Sequence, residues 1–170
     1  MGLFDGLGRA LARAFREGLD EETHGAPAEL LIEVMVLAAY ADGEVEKEES
    51  ARIRHLLARR WSQFAAVPGQ EVPETDTSIE DALAAAEERI EARAADGAGR
   101  ALDQVAAALR SRGPRAAEEA YSLAVAVLLA TRGLESEERP FADALRDALG
   151  LDPERARELE AELAQAQRGA

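Results

Sequence analysis

The chain has no cysteine. Disulfides, thiolate metal sites and cysteine nucleophiles are therefore excluded. Lysine is almost absent: Lys47 is the only one, and nearly all positive charge is carried by arginine. A P-loop needs Gly-Lys-Ser/Thr and a kinase needs its strand lysine, and neither context exists. Aromatic residues make up 4% of the chain, and β-branched residues are few beside the abundant alanine. That balance favours helix over sheet. No apolar run approaches the roughly 18 residues of a membrane span. The stretch from Leu3 to Phe15 is interrupted by Asp5, Arg9 and Arg13, which does not fit a secretory leader. Gly2 is followed by Gly at position 6 instead of Ser or Thr, so the myristoylation motif fails. A cytoplasmic address is the expectation.

What is abundant is negative charge. The formal net charge is −14 over 170 residues. Nucleic-acid binders carry the opposite sign, so no nucleic-acid partner is expected. Acidity of this size suits solubility, cations or a basic protein partner. The length fits one domain with a core that needs no covalent staple. Residues 1–25 read as a short amphipathic helix and linker, and 26–170 as the helical domain.

Apolar periodicity divides the chain into helices. Leu3, Leu7, Leu11 and Phe15, with Phe4, form one face of a short N-terminal helix flanked by Arg9 and Arg13. That face suits its own bundle, a partner or at most peripheral membrane contact. Residues 28–41 are apolar almost all round, which predicts a central, buried helix. A helix follows from about 46 to 64, with Ile53, Leu56, Leu57 and Trp61 inward. Ser78 is expected to cap the next, to about 94, carrying Ile79, Leu83 and Ile90. A helix over about 100–111 carries Leu102, Val105 and Leu109. A second, nearly uniform apolar helix spans 115–131, most so from Tyr121 to Ala130. Another, 137–148, carries Phe141, Leu145 and Leu149 and ends at Gly150. Asp152-Pro153-Glu154 reads as N-cap, N1 and N2 of a last helix. The sum is an all-α, compact bundle of seven or eight helices without a strand.

Two junctions repeat. Ala41-Asp42-Gly43-Glu44-Val45-Glu46-Lys47-Glu48-Glu49 superposes on Ala130-Thr131-Arg132-Gly133-Leu134-Glu135-Ser136-Glu137-Glu138 at an offset of 89 residues, and an apolar helix precedes both. Such a repeat predicts two pseudo-symmetric helix-turn-helix halves. Asp42, Glu44, Glu46, Glu48 and Glu49 place five carboxylates within eight residues. Hard cations such as Ca²⁺ take several oxygen ligands from a flexible loop, so a divalent cation is one reading. The spacing is not that of an EF-hand. The other reading is helix punctuation, with Asp-Gly turning the chain and the glutamates serving the next helix dipole. The second copy keeps Glu135, Glu137 and Glu138 but has Thr131 and Gly133 where the first has Asp42 and Glu44, which makes it the weaker junction. His24 and His55 are isolated, short of the several ligands of a zinc site. No serine lies in a Gly-x-Ser-x-Gly elbow, and no residue set demands catalysis, so a non-enzymatic protein is expected.

Ala-Asp-Gly-Glu-Val-x-x-Glu-Glu after a buried helix resembles the TerB (tellurite resistance) family and its wider TerB-like superfamily, to which the N-terminal region of the co-chaperone DjlA is related. The start Met-Gly-Leu-Phe-Asp-Gly-Leu-Gly-Arg-Ala-Leu, the spacing of the second junction and the ending Ala-Leu-Gly-Leu-Asp-Pro are similar to that family as well. The similarity covers about residues 1–160 and is strongest at the junctions. It implies a cytoplasmic helical bundle in tellurite and related stress responses, cation sensing through acidic residues, and a TerC-type membrane partner that would bring the protein to the inner face of the membrane. The alternative is a metal-independent protein-interaction module of co-chaperone type.

Overall fold

The computed structural model describes residues 28–41, 50–51, 53–58, 75–95, 97–131 and 139–168. Among them the secondary structure is helical and no strand occurs. Six helices have defined bounds: α1 (Ala28–Ala39), α2 (Thr75–Ala94), α3 (Ala98–Arg110), α4 (Pro114–Thr131), α5 (Arg139–Leu149) and α6 (Pro153–Arg168). Residues 50–51 and 53–58 are also helical. The fold is the all-α bundle expected from composition and periodicity.

Its centre is the pair α1 and α4, which pack on one another. Both are apolar over most of their circumference, with Glu29 and Glu33 the only charges on α1 and Arg115, Glu118 and Glu119 those on α4. Leu31, Ile32, Val34, Met35, Val36, Ala38 and Ala39 of α1 are buried, as is every residue from Ala120 to Leu128 of α4. A helix without a polar face has no orientation that satisfies water, so it must be enclosed by others. The enclosing helices show the expected stripes. Ile53, Leu56 and Leu57 are buried in segment 53–58, at the i, i+3, i+4 spacing of one helical face. Ala142, Leu145 and Leu149 are buried on α5. Ala156, Leu159 and Leu163 are buried on α6. On α2, Ile79 and Ala86 are buried while Leu83 and Ile90 are partly buried against the core.

The 89-residue offset carries through this packing. It lays Leu56 over Leu145 and Ile53 over Ala142, and all four are buried. It also lays Glu33 over Ser122, the two polar residues buried among the described residues. Each half runs in the same order: a largely apolar helix, an amphipathic helical segment, then a helix that lies on the first. In the first half α2 lies on α1, and in the second α6 lies on α4. Between the halves, α3 packs against α1, α2, α4 and α5. Its buried stripe is Ala101, Val105, Ala106 and Leu109.

One boundary differs from the sequence reading. α2 begins at Thr75, so Ser78 lies inside the helix and is not its N-cap. The expected start of the helix after the second junction, near 137, lies outside the described residues, and α5 is described from Arg139. Other ends follow their punctuation. Pro114 occupies the first position of α4, where a missing N–H costs nothing. Gly150 ends α5 at φ +67. The Gly150 N–H donates to the Asp147 carbonyl and the Leu151 N–H to the Arg146 carbonyl, each at 3.1 Å. This is the paired Schellman closure, and its left-handed residue favours glycine. Asp152 caps α6 as expected: its Oδ1 accepts from the N–H groups of Glu154 at 2.8 Å and Arg155 at 3.2 Å. Asp152→Ala should therefore cost about 0.5–2 kcal/mol, read as a lower urea midpoint with an unchanged slope.

Candidate functional site

The candidate cation ligands Asp42, Glu44, Glu46, Glu48 and Glu49 lie outside the described residues, and so do Glu135, Glu137 and Glu138. The candidate partner-facing residues Leu3, Phe4, Leu7, Arg9, Leu11, Arg13 and Phe15 lie outside them too. What is described is the frame around each junction. α1 runs to the first junction and α4 to the second, and these are the two helices that pack together at the centre. The Tyr40 N–H donates to the Val36 carbonyl at 3.1 Å and the Ala41 N–H to the Ala38 carbonyl at 3.2 Å, closing the last turn before the first junction. Tyr40 is the large hydrophobic side chain exposed among the described residues, at 45%. Its hydroxyl donates to Glu87 Oε1 on α2 at 3.3 Å.

Each half also holds a charged network that the sequence reading missed. In the first, Glu33 sits in the middle of apolar α1 with its side chain only 1% exposed. Arg89 Nε donates to its Oε1 at 2.7 Å, and Arg93 Nε to its Oε2 at 3.0 Å. The two arginines are one turn apart on α2 and so share a face. Arg93 also reaches Gln104 Oε1 on α3 at 3.5 Å. Both Glu33 oxygens are thus committed to guanidinium groups, so this carboxylate is a tie between helices and not a cation ligand.

The second half places its carboxylate on the outer helix instead. Glu160 of α6 accepts the buried Tyr121 hydroxyl of α4 at 2.5 Å on Oε1. Arg139, at the start of α5, donates from Nη1 to Oε1 at 2.9 Å and from Nη2 to Oε2 at 3.1 Å. This is the forked, two-nitrogen geometry of a strong arginine–carboxylate pair. Burial, followed by the hydrogen bond to Glu160, pushes the Tyr121 hydroxyl well above its ordinary value. The same carboxylate raises the Arg139 guanidinium, mainly through the hydrogen bond. Nearby, Arg155 Nη2 of α6 donates to Glu118 Oε2 of α4 at 2.9 Å. Hydrogen bonds to Glu118 and then Glu158 raise the Arg155 guanidinium as well.

Among the described residues no three His, Asp or Glu side chains gather as a metal site, and no helix is long and apolar enough to cross a membrane. His55 is exposed on its helix, and His24 lies outside the described residues. The signals for the missed networks were present in the sequence. Glu33 is the one acid inside the run 30–39, and Tyr121 opens the apolar run of α4. What sequence alone withheld was which distant residue answers each. No protein-family model matches the chain, and no curated protein or solved structure matches it at a significant level.

Proposed function

We propose that this chain is a non-enzymatic, TerB-like stress-response protein of the tellurite-resistance type. In this reading it binds a divalent cation, Ca²⁺ or similar, through Asp42, Glu44, Glu46, Glu48 and Glu49. It contacts a TerC-type membrane partner from the cytoplasmic side, with the N-terminal amphipathic face as the docking element. The observation that carries the reading is the doubled junction, of which one copy alone keeps the acidic density a hard cation requires. The framing supports it: each junction joins a core helix to an amphipathic one, and the two core helices pack on each other.

Isothermal titration of the intact chain with Ca²⁺, Mg²⁺, Mn²⁺ and Zn²⁺ tests the site. A saturable heat with at least one ion is expected, lost in the double variant Asp42→Asn, Glu49→Gln. Heat no larger than buffer dilution, or equal binding by the variant, overturns it. The second reading, a metal-independent interaction module, is favoured by Tyr40, an exposed aromatic residue beside the first junction. The same samples separate the two readings. Partner capture that survives EDTA but falls with Tyr40→Ala belongs to the interaction module.

A further inference from the structure

We infer that Glu160 is a latch that couples the start of α5 to the last helix, so that the two loosen together. Three elements meet at its carboxylate: Tyr121 from α4, Arg139 from the start of α5, and Glu160 itself from α6. Consecutive helices usually pack together, but α5 and α6 barely approach each other; α6 lies on α4, and α5 lies on α3 and α4. The Arg139–Glu160 pair therefore spans two helices that backbone packing leaves apart. A change at the start of α5 that moves the Arg139 guanidinium is therefore passed to α6 through this carboxylate.

The chemistry suits such a coupling. Glu160 is mostly buried, with 13% of its side chain exposed, so water competes poorly for it. Its Oε1 takes both the phenol and the guanidinium Nη1, and its Oε2 takes Nη1 and Nη2, each at 3.1 Å. Losing the arginine leaves a carboxylate held by a single phenol beside the apolar seat of Ala156, Leu159 and Leu163. Releasing the carboxylate strands a buried Tyr121 hydroxyl. Neither half-broken state is comfortable, so the latch tends to open as a unit. The first half has no counterpart, because the 89-residue offset puts Ser50 in place of Arg139 and Ile32 in place of Tyr121. The coupling is a property of the second half alone.

Hydrogen exchange read by mass spectrometry on the intact chain tests this. Glu160→Gln should speed exchange about tenfold or more both at α5 amides 143–146 and at α6 amides 157–164, while α1 and α3 hold their protection. Glu158→Gln is the control, since Glu158 is an exposed α6 carboxylate paired with Arg155, and it should move neither region. If Glu160→Gln does not fold, Arg139→Lys keeps the charge, loses the two-nitrogen grip and should loosen the same two regions together. Faster exchange confined to α6, equal loss across all helices, or the same pattern from Glu158→Gln would overturn the latch.

Discussion

Replacing Arg89 and Arg93 together with methionine should lower the unfolding free energy by about 3–5 kcal/mol. The loss comes less from the attraction removed than from what remains. Glu33 would be left in the centre of α1 with its side chain 1% exposed and both of its donors gone. The converse change is milder. Removing Glu33 alone leaves two arginines that are 34% and 27% exposed and can turn toward water. A third variant separates the causes. Adding Glu33→Leu to the two methionines removes the stranded carboxyl group and fills similar volume, so most of the stability should return. Urea midpoints of the three proteins decide it. If the triple variant is no more stable than the double one, a stranded carboxylate is not the source of the loss.

Leu109→Ala is expected to cost about 2–5 kcal/mol, the range for emptying a fully enclosed leucine site. Leu109 is completely buried on α3, the helix that touches both halves. The cavity therefore loosens the connection between them as well as the local packing. Leu102→Ala on the same helix makes the comparison, because Leu102 is only partly buried against the core. It should cost clearly less. Equal losses from the two in urea titration would mean that α3 is a replaceable spacer and not the joint between the halves.

The fold was legible because its signals are local. Alanine-rich helical periodicity, Gly150 at a helix end and Asp152-Pro153 at a helix start are readable from neighbours a few residues apart. The structure places Gly150 at positive φ. The nearly apolar stretches 28–41 and 115–131 pointed to burial, and they form the central pair α1 and α4. Ser78 misled because a serine followed by an acid three residues on looks the same inside a helix as at its start. The charged networks were illegible for another reason. Glu33 answers Arg89 and Arg93 across more than fifty residues, and no local pattern announces which of many arginines will arrive. The repeat offered the best hint, since it sets Glu33 opposite Ser122 and so marks a polar position in each core helix. The acidic junctions, which carry the proposed chemistry, lie outside the described residues, and their case rests on spacing, composition and resemblance.

The tie between Glu33 and α2 bears on how the chain is made. Synthesis delivers the N-terminal end first. α1 leaves the ribosome as an apolar helix whose main partner, α4, does not yet exist. α2 comes next of the two, bringing Arg89 and Arg93. The carboxylate thus gives α1 a specific companion before its largest apolar surface can be covered, and that companion is the helix already at hand. A charge that adds little to the finished protein is best placed to guard the unfinished one.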